Sequence, residues 1–258
     1  MTNLIPEIPD DLKKQIYQDS IQNPLQTVSK TFSDAWFLVF GWISQITDKR
    51  KLKYFHNLKC YQQELSNEIN KIPEDKLIEP DIQVTAQALE NSKYCIESEE
   101  LRKMFVNLIS KSINADYEAT VHPSFAEIIK QMSPTDAKIL KTIPLKSNIP
   151  LVDYIVTNSV NKSQRLELSN IYLSGLPNID IFKECSTISS LTRLGILNID
   201  ATSFIADTAI YEPYKETPFF KALVEEKSYP HSTLKADLQK YVGNLTPLGQ
   251  NFVVTCVL

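Results

Sequence analysis

At 258 residues, 43% hydrophobic and 22% charged, the chain is long enough for one large domain or two ordinary ones with a sizeable core. Five glycines against 14 prolines argue against a hairpin-rich all-β protein and against Gly-rich phosphate loops. A formal net charge of −4 supplies no global attraction to nucleic acid or to an anionic membrane. Cys60, Cys95, Cys185 and Cys256 are widely spaced with no Cys-x-x-Cys pair. They read as reduced thiols of a cytoplasmic protein, not as a disulfide framework. The start, Met1 to Leu12, has neither a basic n-region nor a long apolar h-region, so no signal peptide is expected.

Residues 1–30 read as a lead-in segment with one short helix near Asp10 to Ser20. An apolar run follows from Phe32 to Ile46 and carries both tryptophans, Trp36 and Trp42. Its uninterrupted part, Ala35 to Ile43, is about half the length a membrane span requires. A helix buried on most sides is the first reading, and an interfacial membrane or partner contact through 32–46 the second. Asp48 to Ile72 then places Phe55, Leu58, Leu65 and Ile69 on one helical stripe. Its basic beginning (Lys49, Arg50, Lys51, Lys53) and acidic end (Glu64, Glu68) oppose the helix dipole.

Pro73 and Pro80 punctuate a connector, after which Asp81 caps a helix reaching about Ile96. Ser98 caps the next helix, with Glu99 and Glu100 in its first turn and Leu101, Met104, Phe105, Leu108 and Ile109 as its apolar stripe. Pro123 suits the first position of a helix carrying Phe125, Ile128 and Ile129. Ser133-Pro134-Thr135-Asp136 is a further helix start with a reciprocal capping pair. Beyond Pro144, Ile149 to Thr157 and Leu166 to Leu173 fit strand or helix equally. Asn178 to Leu194 reads as a helix stopping at Gly195, and Gly195 to Asp200 alternates like a strand. About 201–243 reads as an irregular insertion with one helix, Pro218 to Lys227. Thr246 caps a terminal helix, Gln250 to Val257.

Two resemblances follow from these motifs. Ser133-Pro134-Thr135-Asp136-Ala137, then Leu191-Thr192-Arg193-Leu194-Gly195-Ile196-Leu197, then Leu245-Thr246-Pro247-Leu248-Gly249 follow each other as in a winged helix-turn-helix. That resemblance implies a third helix presenting Lys183 and Arg193. Two cations are few for phosphate neutralisation, so an interaction module is preferred to a DNA reader.

The block 72–143 is similar to the abortive-infection alpha family of bacterial phage-defence proteins. The resemblance is carried by Ile72-Pro73-Glu74-Asp75, Glu79-Pro80, Ala88-Leu89-Glu90, Glu99 to Phe105, His122-Pro123-Ser124-Phe125 and Ser133-Pro134-Thr135-Asp136-Ala137. It extends loosely into the C-terminal region and implies a role in defence without implying a reaction.

Arg50 and His56 fit the Arg-x(4–6)-His spacing of HEPN ribonucleases, where the Arg stabilises phosphate charge and the His transfers a proton at the 2′-hydroxyl. His56, His122 and His231 lack ligand spacing for zinc, so neither metal nor cofactor is expected. No nucleophile-elbow, P-loop or dinucleotide fingerprint occurs.

The reading is a mainly α cytoplasmic protein. An N-terminal helical domain (31–132) is followed by a small winged-helix-like α+β domain (133–258) with the insertion at about 201–243. Its function is expected to be a non-enzymatic protein-interaction, sensor or effector module of phage defence, with a protein partner or homo-oligomer and without nucleic acid. The interaction candidates are Trp36, Trp42, His122, Pro123, Phe125, Lys183 and Arg193. The alternatives are a HEPN-like metal-independent ribonuclease using Arg50 and His56, and a membrane-active effector working through the Trp36–Trp42 helix.

Overall fold

The computed structural model describes Trp36, residues 38–40, 48–228 and 232–258. The lead-in segment with its Asp10–Ser20 helix, Trp42, His231 and the side chains of residues 48–52, Arg50 included, lie outside the described residues. The chain forms two compact units, one comprising residues up to Met132 with Val254–Leu258, the other Ser133–Val253.

Four α-helices build the first unit's described core: α1 (Asp48–Ile69), α2 (Ile82–Ser92), α3 (Glu99–Ser112) and α4 (Phe125–Gln131). Steps of three and four along α1 bring Phe55, Leu58, Tyr61, Leu65 and Ile69 onto one buried face. Trp36 stacks on Tyr61 at a centroid distance of 5.7 Å and Phe40 meets the same ring edge-on at 6.2 Å, so Trp36 and Phe40 of the apolar run are core. On α3 the buried stripe is Leu101, Met104, Phe105, Leu108 and Ile109. Full burial of each such side chain is worth about 1.5–3 kcal/mol. The caps are local: Asp81 accepts from the Gln83 N–H, and the Ser98 hydroxyl accepts from the Leu101 N–H.

The second unit runs α5 (Pro134–Leu140), β1 (Ile149–Asn158), β2 (Gln164–Ile171), α6 (Ile181–Arg193), β3 (Leu197–Asp200), a 3₁₀ segment (Thr208–Glu216), α7 (Pro218–Lys227), β4 (Leu234–Leu245) and α8 (Pro247–Phe252). Its antiparallel sheet has the order β2-β1-β4-β3. β1 pairs β4 over its whole length, from Ile149 opposite Gly243 to Asn158 opposite Leu234. Val152, Tyr154, Val156 and Leu238 join Ile171, Cys185, Tyr211, Tyr214, Phe220 and Leu223 in one core.

Three expectations change. The protein as a whole is mixed α+β, because the C-terminal unit is organised on a four-stranded sheet. Where a helix-turn-helix sets two helices in succession, β1 and β2 stand between α5 and α6. The supposed irregular insertion supplies β4, a central strand. Leu234, Ala236 and Leu238 do alternate with Lys235, Asp237 and Gln239, but Ala, Asp and Lys are weak strand formers. Pairing with β1, far back in sequence, overrides that local weakness.

Two smaller differences concern helix ends. Pro123 precedes α4, which begins at Phe125. The terminal helix starts at Pro247 and gives way at Val253–Val257 to a wider π-helical turn.

Candidate functional site

On α1, His56 is exposed and its Nε2 lies 3.7 Å from the Cys60 Sγ one turn on. Arg50 and His56 share this helix, six positions apart, which places them about 120° apart around its axis. One further turn along, Glu64 receives two hydrogen bonds from Arg102 of α3, at 3.0 Å from Nε and 2.8 Å from Nη2. The third arm of Arg102 donates to the Ile96 carbonyl at 3.1 Å. This guanidinium is buried, and its bidentate fork ties α1 to α3.

The His122-Pro123-Ser124-Phe125 motif resolves into a turn. The imidazole Nδ1 accepts from the Ser124 N–H at 3.1 Å and lies 2.7 Å from the Ser124 hydroxyl, so the ring serves as the local cap. Phe125 is fully buried, with the His122 ring 5.8 Å from it. Of the N-terminal candidates, Trp36 is likewise fully buried.

On α6, Lys183 and Arg193 are exposed, and Lys183 pairs with Asp180 at 3.6 Å. Three hydroxyls along α6 turn back on their own helix. Ser186 donates to the Phe182 carbonyl, Ser189 to that of Cys185 and Thr192 to that of Ile188, at 2.8, 3.0 and 2.8 Å. Donors so occupied are not aimed outward at a ligand.

The sheet unit also buries carboxylates. Asp136 completes the capping box by accepting from the Ser133 N–H at 2.8 Å, and also receives the Thr187 and Ser190 hydroxyls at 2.8 and 3.3 Å. Glu184 accepts both the N–H and the hydroxyl of Ser174, at 2.9 and 2.6 Å. Burial pushes its carboxyl above the usual range, and the Ser174 bonds offset part of that rise. The neighbouring Cys185 thiol is pushed up to about 12, by burial first and by Glu184 second, so this sulfur is an inert thiol.

A third cluster joins three elements. Asp153 accepts from the Tyr241 hydroxyl at 2.6 Å and from the Asn170 N–H at 2.9 Å, and Asn170 has a φ of 59°. Asp153, Tyr241, Asn170 and Glu184 are not among the residues the sequence singles out, because their partners lie 10 to 88 positions away and no local motif marks them.

The two C-terminal phrases singled out in the sequence come together in space. Thr246 Oγ1 donates to the Gly195 carbonyl at 2.6 Å and accepts from the Gly249 N–H at 2.9 Å. Gly195 has the positive φ of 74° that a helix stop favours. A Cβ on Gly249 would stand 2.0 Å from the Ile196 carbonyl oxygen, so the second phrase needs glycine for close backbone approach.

Among the described residues no group of three or more His, Cys, Asp or Glu could hold a metal ion. No described helix is long and apolar enough to cross a membrane. The abortive infection alpha family model matches residues 53–256. The chain belongs to the abortive infection alpha family. No curated protein and no solved structure shows a significant match. Abortive infection alpha membership implies a role in abortive-infection phage defence. The motifs that resemble the family acquire physical reasons in this fold: Arg102 bridges two helices, His122 caps a turn and Asp136 links α5 to α6.

Proposed function

We propose that this abortive infection alpha protein serves phage defence as a non-enzymatic sensor or effector module that works through protein contacts. The observation that carries this reading is the occupation of its family-like polar residues. Arg102, His122 and Asp136 are the kinds of group that catalysis would use, and each is engaged in holding helices and turns. A group locked in a structural hydrogen bond contributes little to proton transfer or charge stabilisation at a substrate.

The winged-helix-like reading belongs to the same proposal. The partial sheet order β1-β4-β3, in one unit with α5, α6 and α8, supports that reading, and β2 is the departure from it. Such a scaffold, with its α6 hydroxyls turned inward, suits protein contact better than base reading.

The test pairs a phage plaque assay with an RNA-cleavage assay on the purified protein. Protection is expected to survive His56→Ala, and cellular RNA to stay intact. Cleavage of RNA that His56→Ala abolishes would establish the ribonuclease instead.

A further inference from the structure

Strand β2 occupies an edge of the sheet, with β1 on one side and no strand on the other among the described residues. Its first half, Gln164, Arg165 and Leu166, is exposed, and Leu166 keeps 56% of its surface in solvent. An exposed edge presents a row of unpaired backbone N–H and C=O groups to any strand of matching register. The far end of β2 is engaged with α6, through the Asn170 side-chain amide donating to the Ser189 hydroxyl at 3.1 Å. The free part is therefore the segment around Leu166.

That segment has a particular symmetry. Arg165 and Glu167 flank Leu166, and the Arg165 guanidinium meets Glu167 Oε1 at 2.6 Å within the strand. Leu166 stands opposite Ile155 and Arg165 opposite Val156, which places them on opposite faces of the sheet. Glu167 is the extra residue of the bulge between Leu166 and Leu168, and its carboxylate, bonded to the Arg165 guanidinium, lies on the side of Arg165. If a second β2 runs antiparallel about a two-fold axis through Leu166, Leu166 meets Leu166 of the second copy on one face. Arg165 then stands opposite Glu167 of the second copy, and Glu167 opposite Arg165 of that copy. Opposite charges directly across an antiparallel pair are favourable, and like charges are not.

We infer that the β2 edge is the contact by which two copies of this chain associate, through isologous antiparallel pairing centred on Leu166. The strand's own copy satisfies both charge pairs at once by symmetry, whereas an unrelated strand would need the complementary order. The charges that protect this edge from indiscriminate pairing thus select one partner. The paired segment is short, so association is concentration-dependent and not obligate. This inference stands independently of the defence mechanism proposed above.

Sedimentation of the full chain from about 1 μM to about 200 μM, a range in which small interfaces associate, reads the dimer directly. The wild type is expected to move from monomer toward dimer across that range. Arg165→Glu and Glu167→Arg are each expected to stay monomeric, since like charges then face each other across the axis. An equimolar mixture of the two variants is expected to form the dimer again, because every opposed pair becomes Glu with Arg. Mixing cannot repair the contact within a strand, so its effect reports on pairing between chains. Far-UV circular dichroism of each variant, matching the wild type, confirms that the exposed substitutions leave the fold intact. A wild type that stays monomeric throughout, variants that dimerise like the wild type, or a mixture that stays monomeric would each overturn the assignment.

Discussion

The two units hold their buried charges in opposite ways. In the helical unit Arg102 neutralises Glu64 through a bidentate fork, so the charge on α3 is answered by a charge on α1. In the sheet unit Asp136 and Glu184 are buried carboxylates answered by hydroxyls and backbone N–H groups of Ser133, Ser174, Thr187 and Ser190. Burial without a cation pushes the Glu184 carboxyl above the usual range, so the sheet unit holds a group whose protonation is linked to its stability.

Substitutions sharpen this contrast, beginning with a steric one that marks the sheet unit's least forgiving point. Gly249→Ala drives a methyl group into the Ile196 carbonyl, and a backbone oxygen cannot step aside as a side chain can. A loss of about 3 kcal/mol is expected, read by urea denaturation followed through amide exchange in β1 and β4. Arg102→Met leaves Glu64 without its cation and should cost about 2–3 kcal/mol, the 28% exposure of the Glu64 side chain softening the penalty. Tryptophan emission, which arises from Trp36 and Trp42, follows that loss in the helical unit. Full retention of stability would show that the pair contributes nothing.

Asp136→Ala removes a helix cap and two hydroxyl ties between α5 and α6, for about 2 kcal/mol. Glu184→Gln has the smallest effect and the most specific sign. Because the folded carboxyl titrates above its unfolded value, its contribution to stability is fully present below the usual Glu range. It is lost as pH rises through the folded value. Gln keeps the acceptor for Ser174 without the charge, so the variant should flatten the pH dependence of urea stability and gain on the wild type at neutral pH. A variant with an unchanged slope would remove Glu184 as its source.

The same division explains what could be read from the chain before its fold. The helical unit is specified by signals within a few positions: Asp81 to Gln83, Ser98 to Leu101 and the steps along α1 and α3. The Ser133–Asp136 capping box, at the entrance of the sheet unit, is equally local and equally legible. Strand β4 was hidden because its partner β1 lies some 80 positions earlier, and a two-residue alternation built from Leu, Ala and Leu is faint. Among the candidate site residues, His122 and Phe125 are legible as a motif, whereas the cap made by the His122 ring and the burial of Phe125 depend on the folded chain. Asp153 with Tyr241, and Glu184 with Ser174, had no local signature at all.

On the proposed reading, defence proceeds through contacts and without catalysis at the Arg50–His56 turn. The most direct measurement is phage plaque formation on cells expressing the wild type or His56→Ala at matched levels, with total RNA followed after infection. Equal protection by both proteins, without RNA cleavage that depends on His56, is the predicted result. Loss of protection in the variant together with loss of RNA cleavage would contradict it.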